Sequence, residues 1–143
     1  MSRAETAVEL MRQGNNCGMS ILTAFGPEFG LDRELALKLG RPLGSGMGVL
    51  GHVCGAVSAG FLVLGLAADP DRAEKEQRPE TYRLVRDLAR QFEERNRTII
   101  CRDLLDLDLG KEEDLALFRA RDMMTTHCLK FVRDTAEMLE ELI

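Results

Sequence analysis

The 143-residue sequence predicts an all-α fold: one domain, residues 1–143, of about six to seven helices around a single buried, apolar, glycine-rich helix. Three observations predict it. Apolar residues return at spacings of three and four almost throughout, which places them on one face of a helix. Helix-capping and helix-stopping residues punctuate that pattern. No alternating run is long enough to build a sheet; "LLDLDLG", 104–110, alternates but is short and isolated. A chain of this length suits one domain that buries ~70% of its unfolded surface, so it needs no disulfide merely to fold.

The elements follow in order. Ala4, Ala7, Val8 and Met11 share one helical face, and Gly14 ends the run. Asn15 or Asn16 caps a second helix carrying Cys17, Ile21, Leu22 and Phe25, broken by Gly26 and Pro27. Asp32 starts a third through Leu39, stopped by Gly40 and Pro42. A glycine-rich turn at Gly44, Gly46 and Gly48 leads into a long apolar helix reaching about Ala68 and carrying Cys54. Asp69 to Pro79 is polar and reads as a surface connection. From Glu80 to Arg97 an amphipathic helix turns Tyr82, Val85, Leu88, Ala89 and Phe92 inward. Arg83 with Asp87, and Arg90 with Glu94, pair on its outer side. A short helix holds Cys101, Leu104 and Leu105 and closes at Gly110; another spans Glu112 to Met124. Thr125 or Thr126 caps the last, which aligns Cys128, Val132, Thr135, Leu139 and Leu142.

Composition narrows the function classes. A net charge of -5 gives no support to nucleic-acid binding, which needs clustered Lys and Arg, and the absence of Trp leaves few stacking platforms. The amphipathic "MSRAETAVELMRQG" does not resemble a secretory signal, so a cytoplasmic location is expected, where thiols are kept reduced. Leu43 to Ala68 is long enough to cross a bilayer, and Gly51, Gly55 and Ala59 form a ridge of small residues. The amphipathic helices around it argue instead for a core helix buried on all sides. "GMGVLG" matches a dinucleotide loop by letter, yet no strand precedes it; only a helix start able to hold a small anion survives of that reading. Asp106 and Asp108 fail as a calcium loop because Gly110 falls where a third oxygen is needed.

The cysteines carry the remaining signal. Cys17, Cys54, Cys101 and Cys128 lie 37, 47 and 27 residues apart, with no CxxC, which argues against a zinc ribbon or a thioredoxin-type motif. Each falls on a different expected helix, at or beside its apolar face. Cys17 is near a helix start, which favours a thiolate. His52 and His127 stand two and one residues from a cysteine, about 200° and 100° around a helix, so local Cys–His pairs are not expected. Four inert core thiols fit the spacing equally well.

At "CGAVSAG" the chain resembles a four-cysteine redox-active family, C_GCAxxG_C_C. "GSGMGVLGHVCGAVSAG" is similar to its glycine-rich centre, and Cys17 after "MRQGNN", Cys101 in "ICRDLL" and Cys128 in "HCLKFVRDTAEMLEEL" are similar to its other three cysteines. Read as CGAxxG, the motif's final glycine corresponds to Ala59, with Gly60 one later. The resemblance implies sulfur redox chemistry at all four cysteines. The leading expectation is a dithiol protein that requires no cofactor: Cys17 attacks, Cys54 resolves, and Cys101 with Cys128 forms a second pair or passes reducing equivalents on. Its partner is a redox protein or a small oxidant; self-association is left open. Members are also similar to a domain attached to certain multihaem cytochromes, which keeps in view a second expectation, four thiolates holding a [2Fe–2S] cluster or zinc. A third is a structural, partner-binding helical domain that would tolerate loss of every cysteine.

Overall fold

The computed structural model describes residues 1–143. Eight right-handed helices form it: α1 (Arg3–Arg12), α2 (Cys17–Phe25), α3 (Arg33–Gly40), α4 (Gly55–Leu66), α5 (Glu74–Asn96), α6 (Cys101–Leu105), α7 (Glu112–Ala120) and α8 (Leu129–Leu142). The all-α expectation holds, with one helix more than expected and no strand beyond a single bridge between Val53 and Ile100.

Local chemistry starts the early helices where the sequence predicts. The Asn16 side chain accepts the Met19 N–H and the Asp32 side chain accepts the Leu35 N–H, each cap stabilising its helix by about 1 kcal/mol. Ser2 and Glu5 close a reciprocal capping box on α1. Gly14, at φ 101, then turns the chain out of α1.

The middle departs from expectation. The long apolar helix is shorter: α4 begins at Gly55, so Cys54 is its N-cap residue and not part of its body. Residues Ser45 to Val49 instead run through consecutive left-handed conformations, and Gly51 is left-handed too. The ridge of small residues is therefore cut, with Gly51 off the helix and only Gly55 and Ala59 on it. No helix is long and apolar enough to cross a membrane. The anion-holding helix start proposed for "GMGVLG" also goes, because the glycines precede no helix directly.

α5 begins six residues earlier than expected, at Glu74, with Pro79 inside its second turn. There the ring removes one N–H near the start of a 23-residue helix. Leu88 and Phe92 are buried while Tyr82 is exposed, so the inner face excludes Tyr82. Both outer pairs form, Arg83–Asp87 at 3.0 Å and Arg90–Glu94 at 2.9 Å. α6 ends at a left-handed Asp106 and not at Gly110, and α7 stops at Ala120. No threonine caps α8; a π-helical turn, Met124–Cys128, feeds it instead.

α4 is the centre. Ala56, Val57, Ala59, Val63 and Leu64 are all buried in one connected core with Ile21, Leu22 and Phe25 of α2, Leu88 and Phe92 of α5, and Val132, Ala136 and Leu139 of α8. Phe92 and Phe131 meet at 5.9 Å between ring centres. Asp134 of α8 is buried but satisfied: it accepts from Asn96 at 3.1 Å, Lys130 at 2.7 Å and Arg95 at 3.3 Å, tying α8 to the end of α5.

Candidate functional site

Cys17 is the first residue of α2 and Cys54 the residue before α4. The two helices bring the sulfurs together because Gly55 has no side chain. A Cβ there would stand 2.5 Å from Cys17 Sγ and 2.6 Å from the Leu43 carbonyl oxygen. Gly55 is thus the seat of the Cys17 sulfur, a closer contact than the helix-packing role its small size suggests in sequence.

The Cys54 thiol is the hydrogen-bonding neighbour that favours a thiolate on Cys17. This bond is the largest influence lowering the Cys17 thiol, to about 7. Burial opposes it, and the backbone N–H groups of Ser45, Gly18 and Cys17 add to it. The helix start therefore helps as expected, but less than the neighbouring thiol. Cys54 responds in the opposite direction: the same bond and its burial push its thiol well above the ordinary range.

The left-handed segment aims one of those donors. Ser45 (φ 56), Met47 (φ 68) and Val49 (φ 69) adopt a conformation that costs an L-residue about 1–2 kcal/mol each. Bonds from Gly48 N–H to Pro42 O, Gly51 N–H to Ser45 O and His52 N–H to Gly46 O hold the coil, and the Ser45 N–H reaches the Cys17 sulfur. Gly46 sits at the crowded point, where a Cβ would approach His52 N to 2.5 Å and Cys101 Cβ to 2.8 Å.

Cys101 is placed beside Cys54 by two backbone bonds, Cys54 N–H to Ile99 O at 2.7 Å and Cys101 N–H to His52 O at 2.6 Å. Cys128 arrives from the π-helical turn before α8. Burial, then the Cys17 charge, pushes the Cys101 thiol up to about 12; burial raises Cys128 as well, with Cys17 and Cys101 adding to it. All four cysteines line one cavity of about 520 Å³, otherwise walled mainly by apolar side chains. His52 is exposed and half-buried His127 meets Thr126 Oγ1 at 2.7 Å; neither lines the cavity.

No group of three or more His, Cys, Asp or Glu side chains is arranged to hold a metal ion. The arrangement is a close pair, Cys17 and Cys54, with Cys101 and Cys128 lining the same cavity. Sequence reasoning selected the cysteines and glycines but missed Ser45, whose backbone acts, and Arg119, which lines the cavity. Neither carries a sequence signal: any residue supplies an N–H, and surface arginines are common.

The sequence model of the family described as "Putative redox-active protein (C_GCAxxG_C_C)" matches residues 15–142. No curated protein and no solved structure matches the chain. The family's description writes its motif G-C-A-x-x-G, which differs from the CGAxxG reading above. With Cys54 in register, this chain has Val53, Gly55 and Ser58 at the motif's Gly, Ala and Gly. The departure at Gly55 is the residue on which the Cys17 sulfur rests.

Proposed function

We propose that this chain, which belongs to that four-cysteine redox-active family, reduces disulfide bonds with Cys17 and Cys54 as its working pair. One observation carries the reading: the Cys17 sulfur rests on Gly55, the residue after Cys54, in a cavity that all four cysteines line, and the neighbouring Cys54 thiol lowers the Cys17 thiol to about 7. The thiolate is the attacking species in exchange, and a thiol titrating near ambient pH is the best balance of ionisation and nucleophilicity.

The Cys17 thiolate attacks one sulfur of a disulfide. A Cys17–substrate bond forms, and the other half leaves as a thiolate. Cys54 gives up its proton to that leaving group and attacks Cys17 Sγ, releasing the second half. The substrate gains two electrons and leaves as one thiol, carrying the Cys54 proton, and one thiolate that takes its proton from solvent; the protein loses two electrons and becomes the Cys17–Cys54 disulfide. Cys54 is the resolving thiol because it is the nearest thiol influence on Cys17, across Gly55. Cys101 and Cys128, held protonated in the same cavity, are the reserve thiols that exchange with this disulfide once it exists.

Iodoacetamide labelling across pH, with each cysteine located by mass spectrometry, tests the assignment. Cys17 reacts first, half-maximally near pH 7. Treatment with 4,4′-dithiodipyridine then yields a Cys17–Cys54 crosslink, and Cys54→Ser stops at a mixed disulfide on Cys17. Preferential labelling of another cysteine, or an oxidised protein without that crosslink, overturns the reading.

A further inference from the structure

The thiol pair opens into a concave chamber, not onto a convex surface. At about 520 Å³ the cavity falls within the roughly 300–1,000 Å³ range of small-molecule sites. Its walls include Met11, Leu104, Leu105, Phe118 and Phe131, so the body of a bound molecule meets hydrocarbon and aromatic surface. None of the residues lining it is acidic and a single one is charged: Arg119, an exposed residue in the last turn of α7. Arg119 forms no ion pair in the structure, whereas Arg83 and Arg90 on α5 each bind two carboxylates. An arginine free of ion pairs among the residues lining an apolar chamber that also holds the four cysteines matches a ligand that brings its own negative charge.

Resting on the dithiol reading above, we propose that the substrate is a small, largely apolar organic disulfide bearing a carboxylate, which Arg119 binds while the sulfur–sulfur bond lies against Cys17. The apolar body fills the chamber and excludes water. The carboxylate sets the orientation, so the half held by Arg119 stays in place while exchange proceeds. Arg119 touches the substrate's charge and never the reacting sulfurs; it is a specificity residue. The exchange is the one already balanced, with the organic disulfide as oxidant.

Two aromatic disulfides test this on the full chain: 5,5′-dithiobis(2-nitrobenzoate), which carries carboxylates, and neutral 4,4′-dithiodipyridine. The second-order rate of Cys17 modification is measured for each, in wild type and in Arg119→Gln. The variant loses about tenfold with the carboxylate probe, the size of one charge-assisted contact, and keeps its rate with the neutral one. Arg119→Lys keeps most of the preference. Arg86→Ala, a change at an exposed arginine of α5 outside the cavity, leaves both rates alone. An unchanged ratio of the two rates in Arg119→Gln, or an equal fall in both, overturns the substrate assignment. If the Cys17–Cys54 crosslink still forms with both probes, that failure belongs to Arg119 and not to the dithiol mechanism. If the crosslink forms with neither, the mechanism itself fails.

Discussion

Residues 44–54 and helix α4, 55–66, are neighbours in the chain and look alike as letters. Both are apolar and rich in glycine. In the fold they are opposites. The first is a left-handed coil with three non-glycine residues at positive φ between Ser45 and Val49; the second is a regular helix at the centre of the core. Glycine serves the first by tolerating a backbone that other residues resist. It serves the second by leaving space, for the Cys17 sulfur at Gly55 and for Leu88 at Gly60. Identical residues thus solve two problems, conformation before Cys54 and close approach after it, and the cysteine stands at the junction.

Alanine substitutions separate the two uses. The largest effect is expected at Gly46, where both apply. Its φ is 70, and a Cβ would meet the backbone of His52 and Gly51 at 2.5 and 2.7 Å, neither of which can rotate away. Gly46→Ala should cost about 2–5 kcal/mol, the sum of a left-handed penalty and overpacking. Denaturant midpoints measure it. A loss below about 1 kcal/mol would mean that the coil rearranges freely and that its strain positions nothing.

Gly55→Ala isolates the second use, since Gly55 is helical. The cost should be about 1–3 kcal/mol, because the Leu43 carbonyl is fixed while the Cys17 sulfur can shift. The sharper readout is chemical. Moving the sulfur weakens its bonds from Cys54 and Ser45, so the Cys17 thiol should climb from about 7 back toward 9.0. The pH profile of its alkylation reports this directly. An unchanged profile would separate the seat from the chemistry.

The same thiol links stability to pH. Cys17 is lowered in the fold, so its contribution is fully present above the unfolded value of 9.0 and is lost as pH falls through about 7. The stability of wild type relative to Cys17→Ser should therefore fall by about 2 kcal/mol at most between pH 9 and pH 7. A flat difference would show that the Cys17 thiolate is no better held in the fold than in the unfolded chain. Above pH 9 the raised thiols of Cys54, Cys101 and Cys128 act the other way, since unfolding frees them to ionise.

The sequence made the outer helices readable and left the junction obscure, for physical reasons. Asn16, Asp32 and Gly14 act through neighbours two or three residues away, so their letters suffice. The long-helix reading of 44–68 failed because hydropathy does not distinguish a buried coil from a buried helix, and only tertiary contacts hold Ser45, Met47 and Val49 left-handed. That the four cysteines meet was expected from resemblance. The pairing of Cys17 with Cys54, and the backbone bonds setting Cys101 beside them, depend on contacts far apart in sequence.

Gly65 gives the smallest effect and the opposite sign. It lies in the last turn of α4, exposed, with a helical backbone and nothing within 4 Å of where a Cβ would stand. Neither reason for glycine applies there: no positive φ and no close neighbour. Alanine should then stabilise the protein by about 0.5–1 kcal/mol, mainly by restricting the unfolded chain, and leave Cys17 alkylation unchanged. Thermal melts resolve a shift of that size. A destabilised Gly65→Ala would mean that the end of α4 is packed against something absent from this structure, and that closeness, not conformation, governs glycine along the whole helix.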